Sequence, residues 1–362
     1  MALSFSLPSL SRRAPNPLVG IDLSNSSVKV VELSAGQKTP MRLERYAIEP
    51  IEGGAIVEGN IERPEAVAEA LNRALRRCGS RAREAALALP SAAVITKKLM
   101  LPGGLREEDY EIQVEAEASN YIPFPIEEVN LDFQIMGPAP GSEGEVDVLL
   151  AASRREKVDD RVAIAEMSGL KAVVMDAEPY SLRSAVDHFT AQLPESARDR
   201  IIAVFSIGQT LTSLTVVLNG QTIFEREQQL GGQQLTVEIA RMYGLDLDEA
   251  ETRKRSGDLP ENFRAELVEP FVEQVAMQLA RGLQPFYAST THSHVDMVLL
   301  GGGASALPGL AEAIGARLNV PAELLNPFAG MELGSSVRER QLQLDAPSLV
   351  VATGLAMRRF DA

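Results

Sequence analysis

The 362-residue chain has no tryptophan and a single cysteine, Cys78, so no disulfide framework can form within it. Histidine is nearly as scarce: His188, His292 and His294 stand without a cysteine cluster, which argues against a zinc enzyme. No apolar run approaches the roughly 18 residues that cross a bilayer, and the opening MALSFSLPSL lacks a charged-then-apolar leader, so a cytoplasmic chain is expected. Basic charge is short as well. Thirty-five Lys and Arg face fifty Asp and Glu, a formal charge of −15, and without a basic-aromatic cluster no nucleic-acid partner is expected. The signature G-x-x-x-x-G-K-[ST] is also missing, which removes P-loop enzymes. What is present, 45% apolar and 23% charged residues, suits a globular chain long enough for two domains.

Residues 1–17 carry Pro8, Pro15 and Pro17 without periodicity and read as a flexible tail, whose Leu3, Phe5, Leu7 and Leu10 could dock on a partner. Three β-like runs follow, Leu18–Asp22, Val28–Leu33 and Arg42–Pro50, and read as an antiparallel meander. Pro64 then opens a helix with Val67, Leu71 and Ala74 on one face, and Gly79 stops it. From Ala85 to Ser168 the order reads ββαββα, an inserted α+β subdomain. A second meander, Ile201–Ile207, Leu211–Leu218 and Thr222–Gln228, contains the hairpin dipeptide Asn219-Gly220. Helices are then expected near 233–243, 247–256 and 261–289, followed by a strand 295–300, a helix 307–318, a short strand 322–325 and a last helix 348–358. The two meanders imply an internal duplication of architecture, with division at 18–84, 85–168, 169–200, 201–340 and 341–362.

Four features carry chemistry. Gly20–Lys29 places Asp22 at a strand end, the small residues Ser24, Asn25, Ser26 and Ser27 in a tight turn, and Lys29 on the returning strand. Such a hairpin can present backbone N–H groups to phosphate, with Asp22 holding a hydrated cation and Lys29 offsetting charge; ordinary turns have the same composition. As a metal-holding group outside the core, Asp22 is expected to be replaceable without loss of fold. Ser206, Gly208, Gln209 and Thr210 stand at the equivalent place in the second meander. Gly301, Gly302, Gly303 and Ala304 follow a strand, where glycine admits close approach of a ligand; the run also fits a dinucleotide fingerprint, but too few residues follow to complete that domain. Glu251 and Lys254 lie one turn apart, a spacing that a solvated ion pair would also give.

Together these segments resemble the actin-like ATPase superfamily, whose α/β fold joins two duplicated halves of mixed sheets around a nucleotide. The resemblance implies ATP with Mg2+ as cofactors, Gly232 and Gln234 beside the phosphates, and Glu178 of the Glu178-Pro179 step positioning water. The inserted block resembles the relocated subdomain of the cell-division actin FtsA. Closer still, Ala93–Lys97, Tyr121-Ile122-Pro123-Phe124-Pro125, Asp147–Ala152 and Leu230–Thr236 resemble the PilM family of type IV pilus assembly. That implies an ATP-binding scaffold in pilus biogenesis and twitching motility, at the inner face of the inner membrane. Its partner would be the N-terminal peptide of a bitopic PilN-type protein; other pilus proteins or a second copy could also associate. A sugar or acyl-group kinase of the same superfamily is the alternative. One departure stands out: the second phosphate loop of such ATPases opens with Asp, and here Ser206 takes that place, so weak or absent hydrolysis is expected.

Overall fold

The computed structural model describes residues 17–193 and 199–361, so the expected docking residues Leu3, Phe5, Leu7 and Leu10 lie outside the described residues. The chain opens with β1 (Leu18–Leu23), β2 (Ser27–Ala35) and β3 (Met41–Pro50), then a two-residue hairpin of β4 (Ile56–Val57) and β5 (Asn60–Ile61). Next come α1 (Pro64–Cys78), β6 (Glu84–Leu89), β7 (Ile95–Pro102), α2 (Glu107–Ala118), β8 (Val129–Pro138), β9 (Glu145–Arg154), α3 (Arg155–Met167), β10 (Lys171–Ala177) and α4 (Glu178–Thr190). The second half holds β11 (Ile202–Ile207), β12 (Thr212–Leu218), β13 (Gln221–Gln228), α5 (Gln233–Tyr243), α6 (Leu247–Ser256), α7 (Glu269–Gly282), α8 (Gln284–Ser289), β14 (Met297–Gly301), α9 (Leu310–Leu318) and β15 (Ala322–Leu324). β16 (Glu332–Leu333), α10 (Glu339–Asp345) and α11 (Val350–Met357) complete it.

Duplication is visible in the sheets. One runs β10-β6-β1-β2-β3-β16 and the other β13-β12-β11-β14-β15, so each contains an antiparallel meander whose first strand is continued on its other side by two parallel strands. The hairpin Asn219-Gly220 forms as its sequence demands, with φ of +52° and +68°. Pro64 stands at the start of α1, and Gly79 ends it in the left-handed region at φ +67°.

Two elements of the inserted block are corrected. β6 is a central strand of the first sheet, pairing Leu87 with Ile21 of β1 and Leu89 with Ala177 of β10. Its sequence EAALAL is buried on both faces, the signature of a parallel core strand rather than a half-solvated one. α3 likewise buries Ile164 and Ala165 in the core that holds Val67 and Leu71 of α1. The separate unit is therefore βαββ, residues 95–154, with the three-stranded sheet β7-β9-β8 and its own core around Tyr110, Val114, Val148 and Leu150.

Two further differences lie in the second half. The expected helix 261–289 is divided into a π-helical stretch Arg264–Val268, α7 and α8, with Pro270 and Pro285 in the first turns of the last two. The glycine run leads into a turn, and α9 starts only at Leu310. α11 threads between β1 and α4: a Cβ on Gly20 would lie 2.1 Å from the Ala352 carbonyl, and one on Gly354 would lie 1.8 Å from that of Ser181. α4 in turn packs Leu182, Val186 and Phe189 on Ile202, Val204 and Leu299 of the second sheet, which joins the halves beneath the site.

Candidate functional site

β1 and β2 pair Asp22 directly opposite Lys29, and the Lys29 ammonium donates to Asp22 Oδ2 at 2.8 Å and to Ser24 Oγ at 3.0 Å. Both charged residues are buried, at 8% and 7% exposure, so Asp22 belongs to the wall of the core as well as to the turn. The connection closes locally, with Ser24 Oγ donating to the Ser27 carbonyl at 2.9 Å. Ser24, Asn25 and Ser26 remain half-buried at the rim. Asn25 Nδ2 reaches across to Thr210 Oγ1 at 3.4 Å, bringing the two hairpin turns face to face.

Backbone bonds stitch the far wall together. Ser206 lies in register with Gly301, the Gly232 N–H donates to the Gly208 carbonyl at 3.0 Å, and that of Ala304 donates to Ile207 at 3.0 Å. The Gln233 N–H reaches the Gln209 carbonyl at 2.8 Å, which sets Gln234 in the first turn of α5 beside the loop. Gly302 is required here: its φ is +87°, and an added Cβ would meet the Ile207 carbonyl oxygen at 2.4 Å. Gly303 differs, since a Cβ there would meet no protein atom within 4 Å. Gly302→Ala should therefore lower stability by about 1–3 kcal/mol in thermal denaturation, whereas Gly303→Ala should leave stability intact and impair only what binds in the open space. Equal melting temperatures for the two variants would contradict this placement.

Glu251 and Lys254 form a clamp rather than a solvated pair. Lys254 Nζ donates to Thr236 Oγ1 at 2.7 Å and to the Gly232 carbonyl at 3.1 Å, and is ion-paired to Glu251. All three of its donors are thus engaged. Burial raises the Glu251 carboxyl, but Lys254, Thr236 and Arg255 outweigh it and hold the pKa down at about 2. The clamp fixes α6 to the loop before α5.

Glu178 is the first residue of α4, directly after β10, and faces a cleft of about 270 Å³. Ser206, Ser213, Thr215, Arg226 and Glu227 line the same space. Burial, then the charge of Asp22, push the Glu178 carboxyl up to about 8, against the pull of Arg161 and Lys29. It therefore keeps its proton at neutral pH and becomes a base only as pH rises through about 8, or when a nearby cation lowers that value. Arg226 and Glu227 carry no motif and are visible only once β13 is placed against the cleft.

Among the described residues no group of three or more His, Cys, Asp or Glu converges to hold a metal. A cation held by Asp22 would draw most of its ligands from water and phosphate, which suits Mg2+. The open backbone at Gly303 and the small residues at the rim fit a nucleotide's phosphates.

A second cavity, about 380 Å³, lies where the 95–154 unit meets the first half. Pro90, Ala93, Ile95, Ile122, Pro123 and Phe124 line it together with the polar Glu58, Asn60, Arg154 and Lys157. The middle of the Tyr-Ile-Pro-Phe-Pro stretch thus lines the groove, and cations cover its two aromatic rings: Arg154 lies over Phe124 at 5.3 Å and Lys97 over Tyr121 at 4.8 Å. No helix among the described residues is long and apolar enough to cross a membrane.

Comparison with known proteins agrees with this architecture. A solved structure of the PilM-PilN type IV pilus biogenesis complex is similar at 31% identity and TM-score 0.77, covering 94% of this chain and 98% of the matched one. Ethanolamine utilization protein EutJ from Carboxydothermus hydrogenoformans shares the fold at 17% identity and TM-score 0.55, over 96% of this chain and 93% of its own. A diol dehydratase-reactivating factor in nucleotide-free form does so at 12% identity and TM-score 0.54, over 96% and 100% of the two chains. The fold is therefore the actin-like α/β fold, and nothing in these matches supports the kinase alternative. The model of the type IV pilus assembly protein PilM family matches residues 20–360, and the chain belongs to that family.

Proposed function

We propose that the protein is an ATP-binding scaffold of the type IV pilus inner-membrane assembly platform. ATP with Mg2+ sits between its halves, and the cytoplasmic N-terminal peptide of a PilN-type partner docks in the groove. The observation that carries this reading is the groove itself, lined by apolar residues that include Ile122, Pro123 and Phe124 and by the polar Glu58, Asn60, Arg154 and Lys157. Extended peptides fill such grooves or add to neighbouring strand edges. The partner supplies the attachment to the inner membrane, and its cytoplasmic end places this chain at the inner face. In the cleft, Asp22 holds Mg2+ through water, Lys29 and the turn Ser24–Ser27 receive phosphate, and Ser206–Thr210, Gly232, Gln234 and Gly301–Ala304 close around the nucleotide. Glu251 and Lys254 support the ribose side through the clamp on Gly232.

The test is co-purification of the full chain with a tagged peptide of the first dozen or so residues of the partner, with and without Mg-ATP. A stoichiometric complex is expected, and failure to retain the peptide under either condition would overturn the scaffold reading.

Hydrolysis is expected to be slow. Ser206 offers a hydroxyl where a carboxylate would organise the hydrated cation, and burial pushes the Glu178 carboxyl up to about 8 before any cation binds. Single-turnover phosphate release should vanish in Glu178→Gln and increase in Ser206→Asp. A parent that turns over several times a minute at neutral pH would show that Ser206 is no impediment.

A further inference from the structure

Ala92 lines both cavities. Pro90 and Ala93 border the groove beside it, while Ser91 borders the cleft, so a single 3-10 turn, Ser91–Ala93, is the partition between them. The turn starts where β6 ends next to Glu178, because Leu89 pairs with Ala177, and it runs directly into the groove strand at Ile95.

Behind the turn lies Arg161, 2% exposed. Its guanidinium spends its hydrogen bonds on backbone: Nε on the Ala88 carbonyl at 2.9 Å, Nη2 on Gly59 at 2.9 Å and Nη1 on Lys157 at 3.1 Å. Those carbonyls stand on β6, on the β4–β5 turn and on α3. Glu58 and Asn60 on either side of Gly59, and Lys157 itself, line the groove. Gly59 sits so close to the turn that a Cβ on it would lie 2.8 Å from Pro90 Cγ. Glu58 holds φ +49°, the left-handed region that a non-glycine residue enters at a cost. Two groove segments and the strand that leads into the turn thus share one buried cation, and the charge of that cation also acts on Glu178 in the cleft.

We infer that occupation of the groove and binding of nucleotide in the cleft are energetically coupled through the Pro90–Ala93 turn, with Arg161 as the positioning residue that holds the turn in register. The inference rests on the two-site reading above and concerns how one site regulates the other. A peptide packed on Pro90 and Ala93 fixes the partition and with it the cleft wall that Ser91 and Ala92 share with Glu178 and Ser206, so a nucleotide that approaches Ser206 has less left to order, and the sign is positive. By linkage the effect is reciprocal.

The experiment is calorimetry on the full chain with Mg-ATP and with the synthetic N-terminal peptide of the PilN-type partner, each titrated in the absence and presence of the other. Each ligand should tighten the other by the same factor, about fivefold or more. In Arg161→Lys, whose ammonium cannot span three carbonyls as the planar fork does, each ligand alone should bind within about twofold of the parent while the coupling factor falls to near one. Val94→Gly, which loosens the junction of the turn with β7 without removing a buried charge or a side chain that lines either cavity, should give the same result, and it carries the test if Arg161→Lys fails to fold. A merely structural Arg161 would lower both affinities and the melting temperature while sparing their coupling. Two ligands that bind independently in the parent would overturn the inference and leave the two-site reading standing. Binding of neither ligand would overturn both. Full parental coupling in the two variants would remove the turn and Arg161 from the account.

Discussion

Replacing Asp22 by alanine should destabilise the fold by about 3–5 kcal/mol and abolish Mg-dependent ATP binding, because removing one partner of a buried ion pair leaves the other charge uncompensated. From the sequence, Asp22 reads as a metal-holding group whose loss spares the fold; the 2.8 Å contact with Lys29 and the burial of both groups reverse half of that expectation. Asp22→Asn separates the two consequences. It keeps an oxygen for the Lys29 ammonium but removes the charge a hydrated cation needs, so Mg-ATP affinity should fall at least about tenfold with a smaller loss of stability. Urea unfolding and calorimetry with and without Mg2+ read the two effects independently. Parental Mg-dependent affinity in Asp22→Asn would leave Asp22 as a structural partner of Lys29 and nothing more.

The second large effect is expected in the groove. Phe124 is 38% exposed, so Phe124→Ala removes little from the core, yet it strips an aromatic wall and the ring under Arg154. Peptide affinity should fall by about 2 kcal/mol, roughly 30-fold, as for a central aromatic contact of an interface. The affinity for Mg-ATP in the absence of peptide should not change. Fluorescence anisotropy with a labelled peptide measures the first, and calorimetry the second. A peptide affinity within twofold of the parent would place the docking site elsewhere.

Much of the fold is legible in the sequence because its signals are local. Asn219-Gly220 fixes a hairpin by its own φ preferences, Pro64 and Gly79 bracket α1, and the two meanders repeat one order of short runs. What escapes is tertiary. Glu84–Leu89 looks the same whether it pairs in an inserted sheet or between β1 and β10, and only the partners decide. β16 is two residues long and owes its strand character to the edge of β3. The turns around Asp22 and Ser206 can be read from spacing, and the Asn25–Thr210 contact brings them together. The buried Asp22–Lys29 pair, the clamp that engages Lys254, and Arg161 depend on burial and on carbonyls distant in sequence, which no residue pattern records.

The most direct test of the two-site account is hydrogen exchange on the full chain, measured free, with Mg-ATP, and with the partner's N-terminal peptide. Nucleotide should protect the segments around 22–29, 206–210, 231–234 and 301–304, and peptide those around 57–61, 90–97, 121–131 and 151–157. Peptide-induced protection confined to 201–340 would contradict it.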